Sequence, residues 1–230
     1  MSAFLHFNNA ELSAFYLSIK VALYSSLTAL PLAIGIGYGI ARFSFRGKSV
    51  VESILHLPLV MPPVTTGYLL LLFLGTQGPV GRVLYEVFGI RLPFTFAAAV
   101  ISSIIVSFPL MVRSIRIAME MGQQDLEEAS YMLGHGPVFT FSKITLPLAV
   151  PGIISGFILA FARSLGEFGA TITFAGNIEG ETQTVPLAIY AHMQVPGMEG
   201  ATLRLVMVSA LIALAAMIIA EWLLKRMKQI

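Results

Sequence analysis

The chain has no cysteine, a single aspartate (Asp125) and four scattered histidines (His6, His56, His135, His192) in 230 residues. Without cysteine there is neither a disulfide framework nor a thiolate metal site. One aspartate and no HExxH pair leave nothing from which to assemble a hydrolytic triad or a zinc centre, so neither catalysis nor a resident metal or cofactor is expected. Charge is also scarce. Only 11% of residues are charged against 57% hydrophobic, and the mean hydropathy is +0.84, which places the chain among integral membrane proteins. A net charge of +2, with the basic residues grouped at the ends of apolar runs, excludes a nucleic-acid partner. Met1 to Ala10 carries no basic stretch ahead of an apolar run, so no cleaved leader is expected.

What is abundant is apolar sequence in lengths that fit a bilayer, where about 20 residues of helix suffice to cross. The runs are Ala14 to Ala41, Ile54 to Leu74, Phe94 to Val112, Ile144 to Ala162 and Leu205 to Leu224. They predict an all-α polytopic bundle of five transmembrane helices in a single domain, 1–230. Lys20 lies six residues into the first run, roughly 9 Å of helix rise, within reach of the interface for its long stem. Pro58, Pro62 and Pro63 predict a kinked or partly unwound second span. Gly75 to Arg91 reads as a polar, glycine-rich loop. Phe168 to Ile178 and Val185 to Val195 are too short to span and predict re-entrant or interfacial structure. Nine of the fourteen Lys and Arg residues lie after the first run, around 113–143 or at the C-terminus. The positive-inside rule then orients the chain N-out and C-in, with residues 120–147 as a cytoplasmic loop.

Some motifs have weak claims. Gly47-Lys48-Ser49 imitates the end of a phosphate loop, but Arg42 stands where the first glycine belongs and a span stands where a strand belongs. Leu57 to Pro62 echoes Leu146 to Pro151 without any wider repeat, so internal duplication is not supported. Gly35-x-x-x-Gly39 and Gly152-x-x-x-Gly156 suit close helix packing, within the chain or between subunits. Glu52 and His56, four apart, read as a pair on one helix face. Thr65, Thr66, Ser107, Ser164, Thr171 and Thr173 are hydroxyls near membrane depth and candidate pathway residues, although such groups commonly bond back to their own helix. Arg163 and Glu167, also four apart, could meet an anion or form a structural ion pair. The centres of the five runs carry no charge, so no deep charged binding site is expected.

The strongest polar signal runs from Gly122 to Pro147. Asp125 reads as an N-cap with Glu128 completing a capping box, and Leu126, Ala129 and Leu133 share one helix face. Gly134 stops that helix, and Pro137 starts the next. The apolar face could either dock on a soluble partner or pack against the spans. Glu128-Ala129-Ser130, three residues, Gly134, nine residues, then Ile144-Thr145-Leu146-Pro147 resembles the cytoplasmic signature of ABC-importer permeases, with Ser130 for a second alanine. His56 to Pro63, Ser107 to Arg113 and Phe161 to Ala170 are similar to the molybdate-permease branch of that family. Sulfate and thiosulfate permeases are similar over less of the chain.

The resemblance implies an importer of molybdate, or of its near-isostere tungstate, in the bacterial cytoplasmic (inner) membrane. It further implies a homodimer, two ATPase subunits that bind the ATP and magnesium, and a periplasmic molybdate-binding protein. The ATPase-coupling residues would be Asp125, Leu126, Glu128, Ala129, Leu133, Gly134, Ile144, Leu146 and Pro147. An ion-coupled carrier or channel acting alone is disfavoured by the missing duplication and the lack of a mid-membrane carboxylate or histidine relay.

Overall fold

The computed structural model describes residues 7–121 and 124–227, and every regular element in them is helical. Gly122 and Gln123 at the start of the polar segment, the first six residues and residues 228–230 lie outside the described residues. The elements are α1 (Asn9–Arg42), α2 (Lys48–Val60), α3 (Pro63–Leu74), α4 (Pro79–Phe88), α5 (Phe96–Glu120), α6 (Gln124–Met132) and α7 (Pro137–Thr140). A π-helical turn (Phe141–Thr145), α8 (Leu146–Leu165), α9 (Gly169–Phe174), α10 (Val185–Met193) and α11 (Glu199–Met227) complete the chain.

Among the described residues, four helical stretches are long and apolar enough to cross a membrane: α1, α5, residues 137–165 and the first part of α11. The fifth expected span is the pair α2 and α3, which meet at 112°. A kinked or partly unwound span was expected. The break is sharper because Pro62 has no N–H to donate and Pro63 opens α3 at a position that needs none. The expected loop at 75–91 contains helix α4. The third span runs eight residues past Val112 and carries Arg113 and Arg116 within it.

The core is the trio α1, α5 and α8, packed mutually through small side chains. α1 buries Ser18, Ala22, Ser25, Ser26, Ala29, Ala33 and Gly37, α5 buries Ala98, Ala99, Ser102, Ser103 and Ser107, and α8 buries Ala149, Gly156 and Ala160. In lipid, apolar side chains gain little by leaving one apolar solvent for another, so close backbone approach replaces bulk as the source of contact. The Gly152/Gly156 spacing is used inside the chain. A Cβ at Gly152 would lie 2.1 Å from Ala118 Cβ, and one at Gly156 would lie 3.0 Å from the Met111 carbonyl oxygen. Gly35 and Gly39 face open space. Gly152→Val is therefore expected to separate α5 from α8 at a cost of about 1–3 kcal/mol. Reduced folded protein in membrane fractions, measured by protease resistance, checks it.

Ion pairs tie distant elements within the bundle. Glu11, on the opening turn of α1, is buried and accepts from Arg204 of α11 at 2.5 Å. Arg116 bridges Glu52 of α2 at 2.9 Å and Glu120 of its own helix at 2.7 Å. Glu52 thus pairs across helices and not with His56, whose Nδ1 lies 2.7 Å from the Glu52 carbonyl oxygen. Lys20 sits deeper in its helix than the apolar run suggested, because α1 begins at Asn9. Its ammonium lies over the rings of Phe96 and Tyr16, at 4.9 and 5.6 Å from their centroids.

Candidate functional site

The polar segment forms the expected helix–turn–helix elbow, at the end of the bundle where α1 and α5 finish. Gly134 takes φ +84°, its N–H donates to the Tyr131 carbonyl, and the His135 N–H donates to Ser130. That is a Schellman ending, which a residue with a Cβ would strain. Pro137 opens α7, as expected. Asp125 differs from expectation. α6 already begins at Gln124, so Asp125 lies inside its first turn and is not the N-cap.

The faces of α6 are inverted relative to a soluble amphipathic helix. Its apolar residues face outward: Leu126 is 50% exposed, Met132 88% and Leu133 77%, and Ala129 is exposed beside them. Glu128 is exposed as well. The buried side is polar, formed by Glu127 and Ser130.

Glu127, which local pattern did not single out, is the residue that holds the elbow. Its two carboxylate oxygens accept from Arg42 Nε at 2.8 Å and Nη2 at 2.6 Å, and Thr145 Oγ1 donates to Oε1 at 2.5 Å. Arg42 is the last residue of α1, and the side chains of the pair are 10% and 8% exposed. Ser130 and Thr140 hydroxyls meet at 2.9 Å, and Tyr38 packs edge-on against Phe141 with centroids 4.8 Å apart. Nothing in the local pattern pointed to Glu127, because its partner lies 85 positions away.

The segment after the elbow is continuous helix from 137 to 165, so Ile144, Leu146 and Pro147 stand at a span entrance, as expected, with the helix starting earlier, at Pro137. Ile144 and Leu146 are half-buried and Pro147 is exposed. The ladder slips to a π turn there, with the Leu146 N–H reaching Phe141. Pro147 explains this, because it has no N–H and its ring crowds the carbonyl four residues back.

The candidate pathway residues divide. Thr66 of α3 and Thr171 and Thr173 of α9 are brought into one layer, where Gly67 and Gly169 let the two helices touch. Thr66 and Thr171 are buried, whereas Thr65 faces out. Thr173 bonds back to the Gly169 carbonyl at 3.0 Å and Ser107 to the Ser103 carbonyl at 2.7 Å. Ser164 accepts from Ser25 of α1 at 3.2 Å. Arg163 forms an ion pair with Glu167 at 2.8 Å, and the other Glu167 oxygen accepts the Ala170 N–H at 2.9 Å. Glu167 thereby caps α9 and fixes this short buried helix.

The chain belongs to the family of binding-protein-dependent transport system inner membrane components, which matches residues 29–229. Among its relatives, the molybdenum transport system permease protein ModB of Haemophilus influenzae is 49% identical over 95% of this chain and 96% of that one. ModB of Escherichia coli is 49% identical over 93% of each. ModB of Mycobacterium tuberculosis is 41% identical over 88% of this chain and 77% of its own. The fold is shared with a bacterial alginate ABC transporter, at a TM-score of 0.74 and 18% identity over 98% of this chain and 82% of that one. It is also shared with the inward-facing MetNI methionine ABC transporter, at 0.71 and 13% over 94% of each.

Proposed function

We propose that this chain is the permease subunit of an ATP-driven molybdate importer of the bacterial inner membrane. The observation that carries the substrate is the 49% identity to a molybdenum permease along nearly the whole of both chains. Tungstate, with the same tetrahedral shape and charge, would follow the same route. In this reading the whole chain, 1–230, is one permease domain, oriented N-out and C-in with residues 120–147 in the cytoplasm as the positive-inside rule requires. It pairs with a second copy and takes molybdate from a periplasmic binding protein. ATP and magnesium belong to two separate ATPase subunits, and this chain performs no chemistry of its own.

The coupling surface is the outward face of α6, with Leu126, Ala129 and Leu133 as anchors, Asp125 and Glu128 beside them and Gly134 setting its end. Ile144, Leu146 and Pro147 form the span entrance to which it is joined. Nucleotide-driven closure of the ATPases moves the two elbows, and the spans rock between outward and inward access. Arg163, Ser164, Glu167, Thr65, Thr66, Ser107, Thr171 and Thr173 are proposed to lie along the route. Because Arg163 is already neutralised by Glu167, the route passes a dianion without a tight site, and selectivity rests with the binding protein.

The test is reconstitution of permease, ATPase and binding protein in proteoliposomes. Labelled molybdate should accumulate only with internal ATP, tungstate should compete, and sulfate at a hundredfold excess should not. Uptake without ATP or ATPase would make the chain an autonomous carrier, and sulfate uptake at the same rate would make it a sulfate permease. Micromolar molybdate binding by the permease alone would refute the absence of a tight site.

A further inference from the structure

We infer that the buried cluster of Arg42, Glu127 and Thr145 is the mechanical link that carries elbow movement into the spans, so that Glu127 is a positioning residue for transport. The inference rests on the coupling role proposed above for α6, and it concerns the opposite face of that helix from the one a partner would cover.

The described flanks of α6 leave the helical path on both sides. On one side Met121 is in an extended conformation and ends α5. On the other, the chain turns through Gly134 in a left-handed conformation and then Gly136 before α7 begins. Turns of this kind absorb rotation at little cost. Met132 and Leu133 are 88% and 77% exposed and so do little to anchor α6 to the bundle. What joins α6 firmly to it is the forked Arg42–Glu127 pair, the third bond from Thr145 and the Ser130–Thr140 contact. A planar guanidinium gripping a carboxylate at two points fixes direction as well as distance, and shielding from solvent removes the screening that weakens exposed pairs.

The two partners of Glu127 lead to different spans. Arg42 ends α1, which packs along both α5 and α8, and Thr145 sits in the π turn at the entrance of α8. A displacement of α6 is therefore delivered together to α1 and α8, two of the three core helices. Ring contact between Tyr38 and Phe141 braces the same junction. A purely stabilising pair could sit anywhere along the bundle; this one joins three elements where the elbow meets the spans.

The test uses the full complex and compares wild type with Glu127→Gln, Arg42→Lys and Thr145→Val. Glu127→Gln keeps shape but loses the charge and one acceptor, Arg42→Lys keeps charge but loses the fork, and Thr145→Val removes one bond. The expected result is ATPase co-purification within twofold of wild type, with at least a tenfold drop in molybdate imported per ATP hydrolysed for Glu127→Gln. Thr145→Val should show a smaller drop. A structural role alone would lower complex yield and both rates together while leaving their ratio unchanged, and that outcome would overturn the inference.

A second readout needs no substrate. Because the chain has no native cysteine, Ser44→Cys and Met132→Cys, both at exposed positions, can carry spin labels without background. Their separation should stay narrow and constant between nucleotide-free and vanadate-trapped complexes, and broaden in Glu127→Gln. A wild-type separation that changes with nucleotide would refute a rigid link. If the complex proves to carry a different oxyanion, the substrate assignment fails while the distance measurement still decides the link.

Discussion

A permease carrying Leu126→Asp together with Leu133→Asp inserts into the membrane as wild type does but is recovered without its ATPase. Leu133 is 77% exposed and Leu126 50%, so the fold should change by no more than about 1 kcal/mol per substitution. At the centre of a helix-in-groove contact the same positions act as anchors. Loss of an anchor costs about 2 kcal/mol or more, and two such losses with added carboxylate desolvation amount to more than a hundredfold in affinity. Glu128→Lys, on the same exposed helix, should weaken recovery to a lesser degree. Gly134→Val should act indirectly, by disturbing the Schellman ending that places Leu133. Tagged-permease pull-down, with membrane levels measured in parallel, checks all three. Undiminished ATPase recovery with the double aspartate variant would remove α6 from the interface.

Gly67→Val abolishes transport while leaving the ATPase bound. A Cβ at Gly67 would stand 2.6 Å from the Ala170 carbonyl oxygen, 2.8 Å from Thr173 Cβ and 2.9 Å from Ala170 Cα. These are mostly backbone atoms, which no rotamer change can move. α9 has no room to retreat, since Ser102 donates to the Ala170 carbonyl from the α5 side, Phe174 is buried and Glu167 caps the helix. Gly169 faces the same constraint from the other direction, since a Cβ there would stand 2.6 Å from Pro63 Cβ. Forced separation of α3 and α9 costs about 1–3 kcal/mol of packing. The expected uptake is below a tenth of wild type, with Gly67→Ala intermediate and ATPase co-purification normal, because the elbow lies at the far end of α1 and α5. Wild-type uptake by Gly67→Val would show that this layer is not a functional element.

Local pattern proved most informative where the physics is local. Pro62 and Pro63 marked the break between α2 and α3, and Gly134 and Pro137 marked the two sides of the elbow, because missing N–H groups and a left-handed φ act on their own residue. Asp125 was expected at the N-cap and instead lies within the first turn, because α6 is already helical at Gln124. The extension of α5 to Glu120 was hidden for a different reason. Arg113 and Arg116 look like the end of a span, yet a helix can continue into water once Arg116 has Glu52 and Glu120 to hold it. Arg163 and Glu167 were visible as a spacing, but that spacing did not distinguish an anion contact from the ion pair the fold forms.

By itself the sequence determined that this is a helical membrane protein, roughly where its spans lie, and that a helix–turn–helix interrupts them. A segment in lipid must satisfy its own backbone, so length and apolarity nearly suffice to specify it. Tertiary structure alone decided which polar groups meet. Glu127 was chosen over its neighbour Glu128, α6 was turned apolar side out, and Gly152 and Gly67 became contact points. The reason is that helix pairing in a bilayer has little hydrophobic drive and is directed by small-residue contacts and buried polar pairs. The deciding partner, as Arg42 is for Glu127, lies in a different part of the chain.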